Sequence, residues 1–379
     1  MLEEELKALM EVRSGACVSI YMPADEVGKE KRKNPIRLKN LLRDAENALL
    51  QQDLRPAAAK DFLKRAQVLV ADSAFWRKQS SGIAIFLNPQ WFRTYSLPLE
   101  FKTEVVVSDR FHIKPILPLL TADYGFFVLA LSQKKIGFFE CTPYDIREIA
   151  LQNIPLSLDE ALKYDDPERQ LQFHTGTSGA SGKDQRSAMF HGQADDSKDD
   201  ILRFFRMVEK GLQPLLAKEQ KPLLLAGVEY LHAIYKSANT YSKLLESGIT
   251  GNIDKFSEQQ LHEKSWNIAR VHFRKEREEE FSRYRDLRDT RLATGDIKEI
   301  VPASFEGRID TLFVAAGSRQ WGSFDAEKRS LMLHSEQEPG DWDLTDFAAA
   351  HAYMKGGRVY VVKPEEFPEP LLCAAIFRY

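Results

Sequence analysis

Six consecutive residues, Pro222-Leu223-Leu224-Leu225-Ala226-Gly227, carry no polar side chain. A strand with one face in water alternates apolar and polar residues, whereas a parallel strand covered by helices on both faces is apolar throughout. The run therefore predicts a central strand of a helix-covered sheet, leading into a helix over residues 228–236. Upstream, residues 124–131, 135–141 and 146–151 read as three strands, the first two joined by the short turn Ser132-Gln133-Lys134. A β-meander ahead of a buried parallel strand places this part of the chain in the α/β class.

The chain has 379 residues, more than one hydrophobic core normally serves, so several domains are expected. In the first, residues 2–12 read as a helix and Ala16-Cys17-Val18-Ser19-Ile20-Tyr21-Met22 as a buried strand stopped by Pro23. Pro35 suits the first turn of a helix running through Leu38, Leu41, Leu42, Ala45 and Leu49. A helix over 57–70 and strands over 81–87, 91–97 and 102–107 complete an α+β domain spanning 1–118. Pro115 and Pro118 punctuate an apolar linker at its end. The second domain spans 119–275. A long helix over 257–291 is apolar at Leu261, Trp266, Ile268, Ala269 and Phe273 before it becomes a run of mixed Arg and Glu, which reads as a solvent-bridging connector. The third domain, 276–379, alternates a helix through Ile297, Ile300 and Val301, a strand over 310–316, a helix over 344–354 and strands over 358–362 and 372–379. That order predicts an α/β/α sandwich. No internal repeat is visible.

Between meander and central strand lies a stretch of different character. Gly176, Gly179, Gly182 and Gly192 stand among Ser, Thr, Asp and Lys, with few apolar residues from Asp165 to Ala188. Such a composition does not offset the entropy of ordering and predicts a surface loop, either functional or disordered. Ser197 and Asp200 have the form of a capping box, and Ile201, Leu202, Phe204, Phe205, Val208 and Leu212 keep helical spacing, so a helix is expected from about Lys198.

Composition excludes several classes. No apolar run approaches the ~18 residues of a membrane span, and the opening Met1-Leu2-Glu3-Glu4-Glu5 lacks a signal-peptide charge pattern, so a cytoplasmic protein is expected. Cys17, Cys141 and Cys373 are far apart and read as buried thiols of a reducing compartment. A formal net charge of -3 argues against a general nucleic-acid coat but leaves room for local basic surfaces. One such surface gathers Lys29, Lys31, Arg32, Lys33, Arg37 and Lys39 at a loop-helix junction, either a solvated face or a phosphate contact.

The eight histidines show no metal-binding spacing, no Gly-x-Ser-x-Gly elbow is present, and no Gly-rich loop ends in Gly-Lys-Ser or Gly-Lys-Thr, so no cofactor or metal is expected. His191 with Asp195, Asp196 and Asp199 could gather a hard cation, but Asp residues at a helix N-terminus are better explained by the macrodipole. Gln193, preceded by Gly192 and followed by a helix carrying Arg203 and Arg206, is the distinguishing side chain. A neutral amide cannot act as a strong base, yet it can position a water or donate to a developing oxyanion.

The order of several short stretches carries a resemblance. They are Val18-Ser19-Ile20-Tyr21-Met22-Pro23, Asn34-Pro35-Ile36-Arg37-Leu38-Lys39-Asn40-Leu41-Leu42, Phe75-Trp76 before Gly82-Ile83-Ala84-Ile85-Phe86, His191-Gly192-Gln193, Leu223-Leu224-Leu225-Ala226-Gly227-Val228 and Ala374-Ala375-Ile376-Phe377-Arg378-Tyr379. Together they resemble the bacterial branch of the archaeo-eukaryotic peptide-chain release factors, relatives of the Pelota-type rescue proteins. The resemblance implies an N-terminal domain facing the decoding centre, a ribonuclease H-like middle domain and a C-terminal domain similar to kink-turn-binding ribosomal proteins. It implies the ribosome and its rRNA as partner, with tRNA and an elongation-factor-like GTPase as further partners. It makes Gln193, Gly192 and His191 the candidate catalytic residues, and the basic patch with Arg203 and Arg206 the candidate RNA-binding ones. His191 stands where the family's tip has a first glycine, and no Asn-Ile-Lys-Ser stretch for stop-codon reading is present. The sequence thus leaves two readings open, a factor that occupies the tRNA-entry site without chemistry (rescue, termination-like or hibernation) and a peptidyl-tRNA hydrolase using Gln193. A metal-dependent hydrolase or nuclease, resting on Glu140, Asp145 and Glu148, stands outside both.

Overall fold

The computed structural model describes residues 3–12, 15–24, 33–77, 79–119, 125–165, 186–367 and 370–379. By compactness the chain divides into two units, one made of Met1–Ala122 with Arg277–Tyr379 and the other of Asp123–Glu276.

The chain opens with α1 (Glu3–Glu11), β1 (Cys17–Pro23), α2 (Asn34–Gln51), α3 (Pro56–Ala71), the short α4 (Ser73–Arg77), β2 (Gly82–Leu87), β3 (Phe92–Leu97) and β4 (Glu104–Ser108). The strands form one antiparallel sheet in the order β3-β2-β1-β4. Alternation along β1 sorts its side chains between two cores. Val18, Ile20 and Met22 pack under α2 and α3 with Leu38, Leu42 and Leu63, while Cys17 and Tyr21 enter a second core with Phe86 and Phe111. The expected linker after β4 is no free connection. Phe111, Ile113, Ile116 and Leu117 are buried in that second core.

The other unit contains β5 (Phe126–Leu131), β6 (Gly137–Cys141), β7 (Ile146–Glu148), α5 (Leu158–Asp165), α6 (Arg186–Glu219), β8 (Leu223–Gly227), α7 (Glu229–Ala238), β9 (Ile249–Thr250) and the greater part of α8 (Glu258–Leu287). Its sheet runs β7-β6-β5-β8-β9, antiparallel on the meander side and parallel from β5 through β9. The central strand expected from the apolar run is β8, and all five of its residues are buried. Leu223 and Leu225 face α6 and α7, meeting Phe204, Phe205 and Tyr235, while Leu224 and Ala226 face Leu261, Ala269 and Phe273 of α8. Two faces covered by helices explain why the run contains no polar residue.

The chain then returns to the first unit with the end of α8, β10 (Ala293–Thr294), α9 (Ile297–Glu306), β11 (Ile309–Ala315), β12 (Trp321–Asp325), β13 (Ser330–His334), β14 (Trp342–Asp343), α10 (Leu344–Met354), β15 (Arg358–Val362) and β16 (Cys373–Phe377). The sheet β10-β16-β11-β15 pairs β11 with β15 in parallel and the rest antiparallel. One face carries Ile300, Phe347 and Ala348 of α9 and α10, and the other carries Phe281 and Tyr284 of α8. The Arg- and Glu-rich end of α8, where the chain passes from one unit to the other, is solvated over most of its charges as expected, but one stripe of it is buried. Its charges border the sheet, with Arg283 Nη1 2.6 Å from Asp310 Oδ2 and Glu280 Oε1 2.7 Å from Arg358 Nη1, while its aromatic residues, three apart, point to the core. The small sheet β13-β12-β14 had no counterpart in the sequence reading. No helix among the described residues is long and apolar enough to cross a membrane.

Candidate functional site

The loop expected over residues 165–188 lies almost wholly outside the described residues. The helix after it begins at Arg186, not near Lys198, so His191, Gly192 and Gln193 fall within α6. Ser197 and Asp200 are then interior positions and cannot cap it. Helix-favouring residues such as Ala188, Met189 and Ala194 flank Gly192, and a single interior glycine costs only ~1 kcal/mol, too little to end a helix that tertiary packing holds. In a helix interior each amide donates to the carbonyl four residues back, so the backbone N–H of Gln193 is committed and not presented to a substrate. The side chains of residues 186–197 lie outside the described residues. Farther along, Arg203, Arg206 and Lys210 are exposed at spacings of three and four, which puts the three cations on one face of α6. Lys210 was missed in the sequence.

Of the basic patch, Lys29, Lys31 and Arg32 lie outside the described residues. Arg37 donates to the Pro23 carbonyl at 2.8 Å and to Asn34 Oδ1 at 3.2 Å, so its guanidinium helps hold the start of α2. Lys33 and Lys39 are exposed, as is Arg43 one turn beyond Lys39. The carboxylates of the hydrolase reading are engaged as well. Glu140 Oε1 sits 2.7 Å from Lys221 Nζ and its Oε2 pairs with Arg147, while Glu148 lies 3.5 Å from Lys135. Among the described residues no three His, Cys, Asp or Glu side chains gather as a metal site.

The most concentrated charge was not singled out from the sequence. His112 and Lys114, after β4, are buried together with Asp343 and Asp346 at the start of α10. The Lys114 ammonium donates to Asp343 Oδ2 and Thr345 Oγ1, each at 2.7 Å, and to the Ser318 carbonyl. Asp343 is also the N-cap of α10, its Oδ1 accepting from the Thr345 N–H at 3.0 Å. Asp346 Oδ1 accepts from the backbone N–H of Ile113 at 2.8 Å and from that of Lys114. The His112 ring lies between carboxylates, 3.4 Å from Asp346 Oδ1 and 3.6 Å from Glu104 Oε1. Burial pushes the His112 pKa down, outweighing the neighbouring carboxylates. Burial also pushes Asp346 up, with Asp343 adding to the rise. For Asp343 burial acts in the same sense, but the Lys114 ammonium and His112 bring it below the ordinary value. The result is a buried ion pair beside an imidazole whose protonation burial disfavours. Over it opens a cavity of about 520 Å³, lined by Glu104, His112, Lys114 and Arg319 together with apolar side chains such as Phe101 and Val361. The one hint in the sequence was a lysine inside the apolar run Phe111-His112-Ile113-Lys114-Pro115-Ile116.

With the second unit's sheet and covering helices in place, that part of the chain is similar to one known family. Residues 126–271 match the model of bacterial archaeo-eukaryotic release factor family 7. The match to this release-factor family spans β5 to the middle of α8, less than half of the chain. Solved structures are similar over greater lengths at low identity. A model of ribosome-bound archaeal Pelota and ABCE1 is 12% identical with a TM-score of 0.39, covering 100% of this chain and 94% of that one. The archaeal translation termination factor aRF1 is 14% identical with a TM-score of 0.24, covering 100% and 99%. Dom34 of S. cerevisiae, described as a translation termination-like factor involved in RNA quality control pathways and interacting with Hbs1, is 10% identical with a TM-score of 0.37, covering 79% of each chain. No curated protein matches.

Proposed function

We propose that the protein is a ribosome-associated translation factor of the release and rescue type, acting in the cytoplasm at the tRNA-entry site. The observation that carries this reading is the match of residues 126–271 to the release-factor family. The strand order β7-β6-β5-β8-β9, a meander followed by parallel strands with helices on both faces, supports a ribonuclease H-like middle domain. The C-terminal sheet between α8 on one side and α9 and α10 on the other supports the kink-turn-protein-like sandwich. rRNA is the primary partner, contacted through the cations at the start of α2 and the Arg203-Arg206 face of α6. A tRNA and an elongation-factor-like GTPase are the further partners that the resemblance implies. Co-sedimentation with ribosomes through sucrose gradients at stepped salt tests the reading, since clustered cations on phosphates give binding that falls steeply as salt rises. Absence from the ribosomal fractions at low salt would sink it.

Within this reading the factor occludes rather than hydrolyses. The helical backbone at Gly192 and Gln193 favours occlusion, because a tip that delivers an amide to an ester carbonyl needs an open turn. Peptidyl-tRNA hydrolysis by Gln193 is the second reading. On programmed ribosomes the occluder is expected to release no peptide above background, and Gln193→Ala to change nothing. Wild-type release that the substitution slows by about 10²- to 10³-fold, as loss of an oxyanion donor does, would favour the hydrolase.

A further inference from the structure

We infer that the cavity over the Lys114-Asp343 pair binds a small phosphomonoester with an apolar or aromatic body, of about mononucleotide size; this stands independently of the proposed function. Its position is the first observation. β11 and β15 run parallel and adjacent, and the residues that leave their carboxyl ends, Ala316 to Arg319 after β11 and Lys363 to Glu365 after β15, line the cavity. In open α/β sheets a crevice at the carboxyl ends of parallel strands is where ligands are held, because the connections there are free to vary while the strands hold them in place.

The turn after β11 supplies donors. Gly317 has φ +72°, a left-handed conformation that glycine adopts without strain, and it turns the chain directly at the cavity mouth. The backbone N–H of Ala316 is taken by the Val362 carbonyl at 2.7 Å, and the turn at Ala316-Gly317 directs the N–H of Ser318 back to the Ala315 carbonyl, whereas those of Gly317 and Arg319 have no acceptor among the described residues. The free amides of Gly317 and Arg319, at and just after a left-handed residue, give an anion donors at this turn. Lys102 Nζ would lie 3.9 Å from a Cβ added at Gly317, so an ammonium stands over the same turn. Lys102 and Lys363 line the cavity without an ion-pair partner among the described residues. Arg319, tied to Glu104, adds a guanidinium whose pKa burial pushes down.

Charge and shape then select the ligand. Glu100 and Glu365 on the rim are exposed to solvent, and Glu104 is held by Arg319, so the turn itself faces cations. Two amides and two ammonium groups match the three free oxygens of a phosphomonoester better than the two oxygens of a carboxylate. The remaining walls, from Leu99, Phe101, Pro115, Pro118 and Val361, are apolar and call for a body that prefers them to water. A cavity of about 520 Å³ is within the range of small-molecule sites and exceeds the need of a bare anion.

The test is calorimetric titration of the full chain with adenosine monophosphate, phenyl phosphate, inorganic phosphate and a 5′-phosphorylated tetraribonucleotide. At least one of the two small organic phosphates is expected to bind once per chain at millimolar concentration or below, more tightly than inorganic phosphate. Lys102→Ala with Lys363→Ala is expected to weaken it by about tenfold or more, since two charge-assisted hydrogen bonds are removed, without moving the melting temperature. Equal binding of the tetranucleotide assigns the phosphate to an RNA end, and its exclusion assigns it to a free metabolite. Failure of both small organic phosphates to bind, affinity no better than inorganic phosphate, or full affinity in the double variant would overturn the inference.

Discussion

Replacing Lys114 by Met keeps the length of the side chain and removes its charge. The Asp343 carboxylate would stay buried without its 2.7 Å partner, and breaking a buried pair in this way costs about 3–5 kcal/mol. Lys114→Met is thus expected to lower the melting temperature of its unit sharply, and adding Asp343→Asn to restore part of the loss. A single variant as stable as wild type would show that the pair is not buried in solution. His112 sets a pH dependence of definite sign. Its pKa is depressed below 6.5 in the folded protein, so below pH 6.5 the unfolded chain takes up a proton that the folded one refuses. Stability from this group is complete above 6.5 and is lost as pH falls through the depressed value. Asp346, whose pKa is raised, acts in the other direction, its contribution being present below 3.8 and lost as pH rises through its folded value. Between wild type and His112→Gln the difference isolates the histidine. Wild type is expected to lose more stability than His112→Gln between pH 6.5 and mildly acidic pH, and parallel pH dependence of the two melting temperatures would show that His112 does not contribute. The other buried groups are quiet by comparison. Burial pushes the thiols of Cys141 and Cys373 up to about 12, which keeps them protonated and unreactive, as expected of buried cysteines.

Elements were legible wherever their pattern was local. α10 and β15 coincide with the stretches expected for them because helical spacing and a β-branched run are written in consecutive residues. α8 was legible in extent and as the helix passing from one unit to the other, but not in its packing, since Arg and Glu outnumber Phe281 and Tyr284 in its last turns and hide the narrow stripe that enters the core. α6 was misread at its start because glycine and a capping-box pattern, both genuine stop and start signals, lie inside one continuous helix. The backbone at position 192 can be tested directly. A glycine in a helix interior is destabilising by roughly 0.5–1 kcal/mol relative to alanine, so Gly192→Ala is expected to stabilise the middle unit by that order in chemical denaturation. A loss of stability would mean that Gly192 occupies a left-handed turn, and would return the Gly-Gln pair to the tip of a loop.

For the whole molecule the measurable consequence is how association depends on salt. Lys33, Lys39 and Arg43 are exposed on or beside α2, whereas Arg37 is needed to hold the Pro23 carbonyl, so the informative variant reverses the first three and spares the fourth. Reversal to Glu is expected to weaken ribosome association and flatten its dependence on salt, the logarithmic slope falling by about 0.7–0.9 for every phosphate no longer neutralised. An unchanged slope would return the patch to a solvated surface. The sequence by itself determined most of the strands and helices, though not β12 to β14 or the start of α6, together with the helix-covered sheet around Leu223-Leu224-Leu225-Ala226 and the release-factor resemblance, because these depend on the order and period of neighbouring residues. Only the tertiary structure decided that residues 1–122 and 277–379 form one compact unit, and that Lys114 meets Asp343 across 229 positions of chain to make the floor of a cavity. A buried charge has to find its counter-charge, yet nothing in the residues beside Lys114 states which of the chain's many carboxylates will be brought to it. That choice belongs to the packing of two sheets around a shared core, where the solvation lost on burial leaves the ion pair as the arrangement that satisfies both groups.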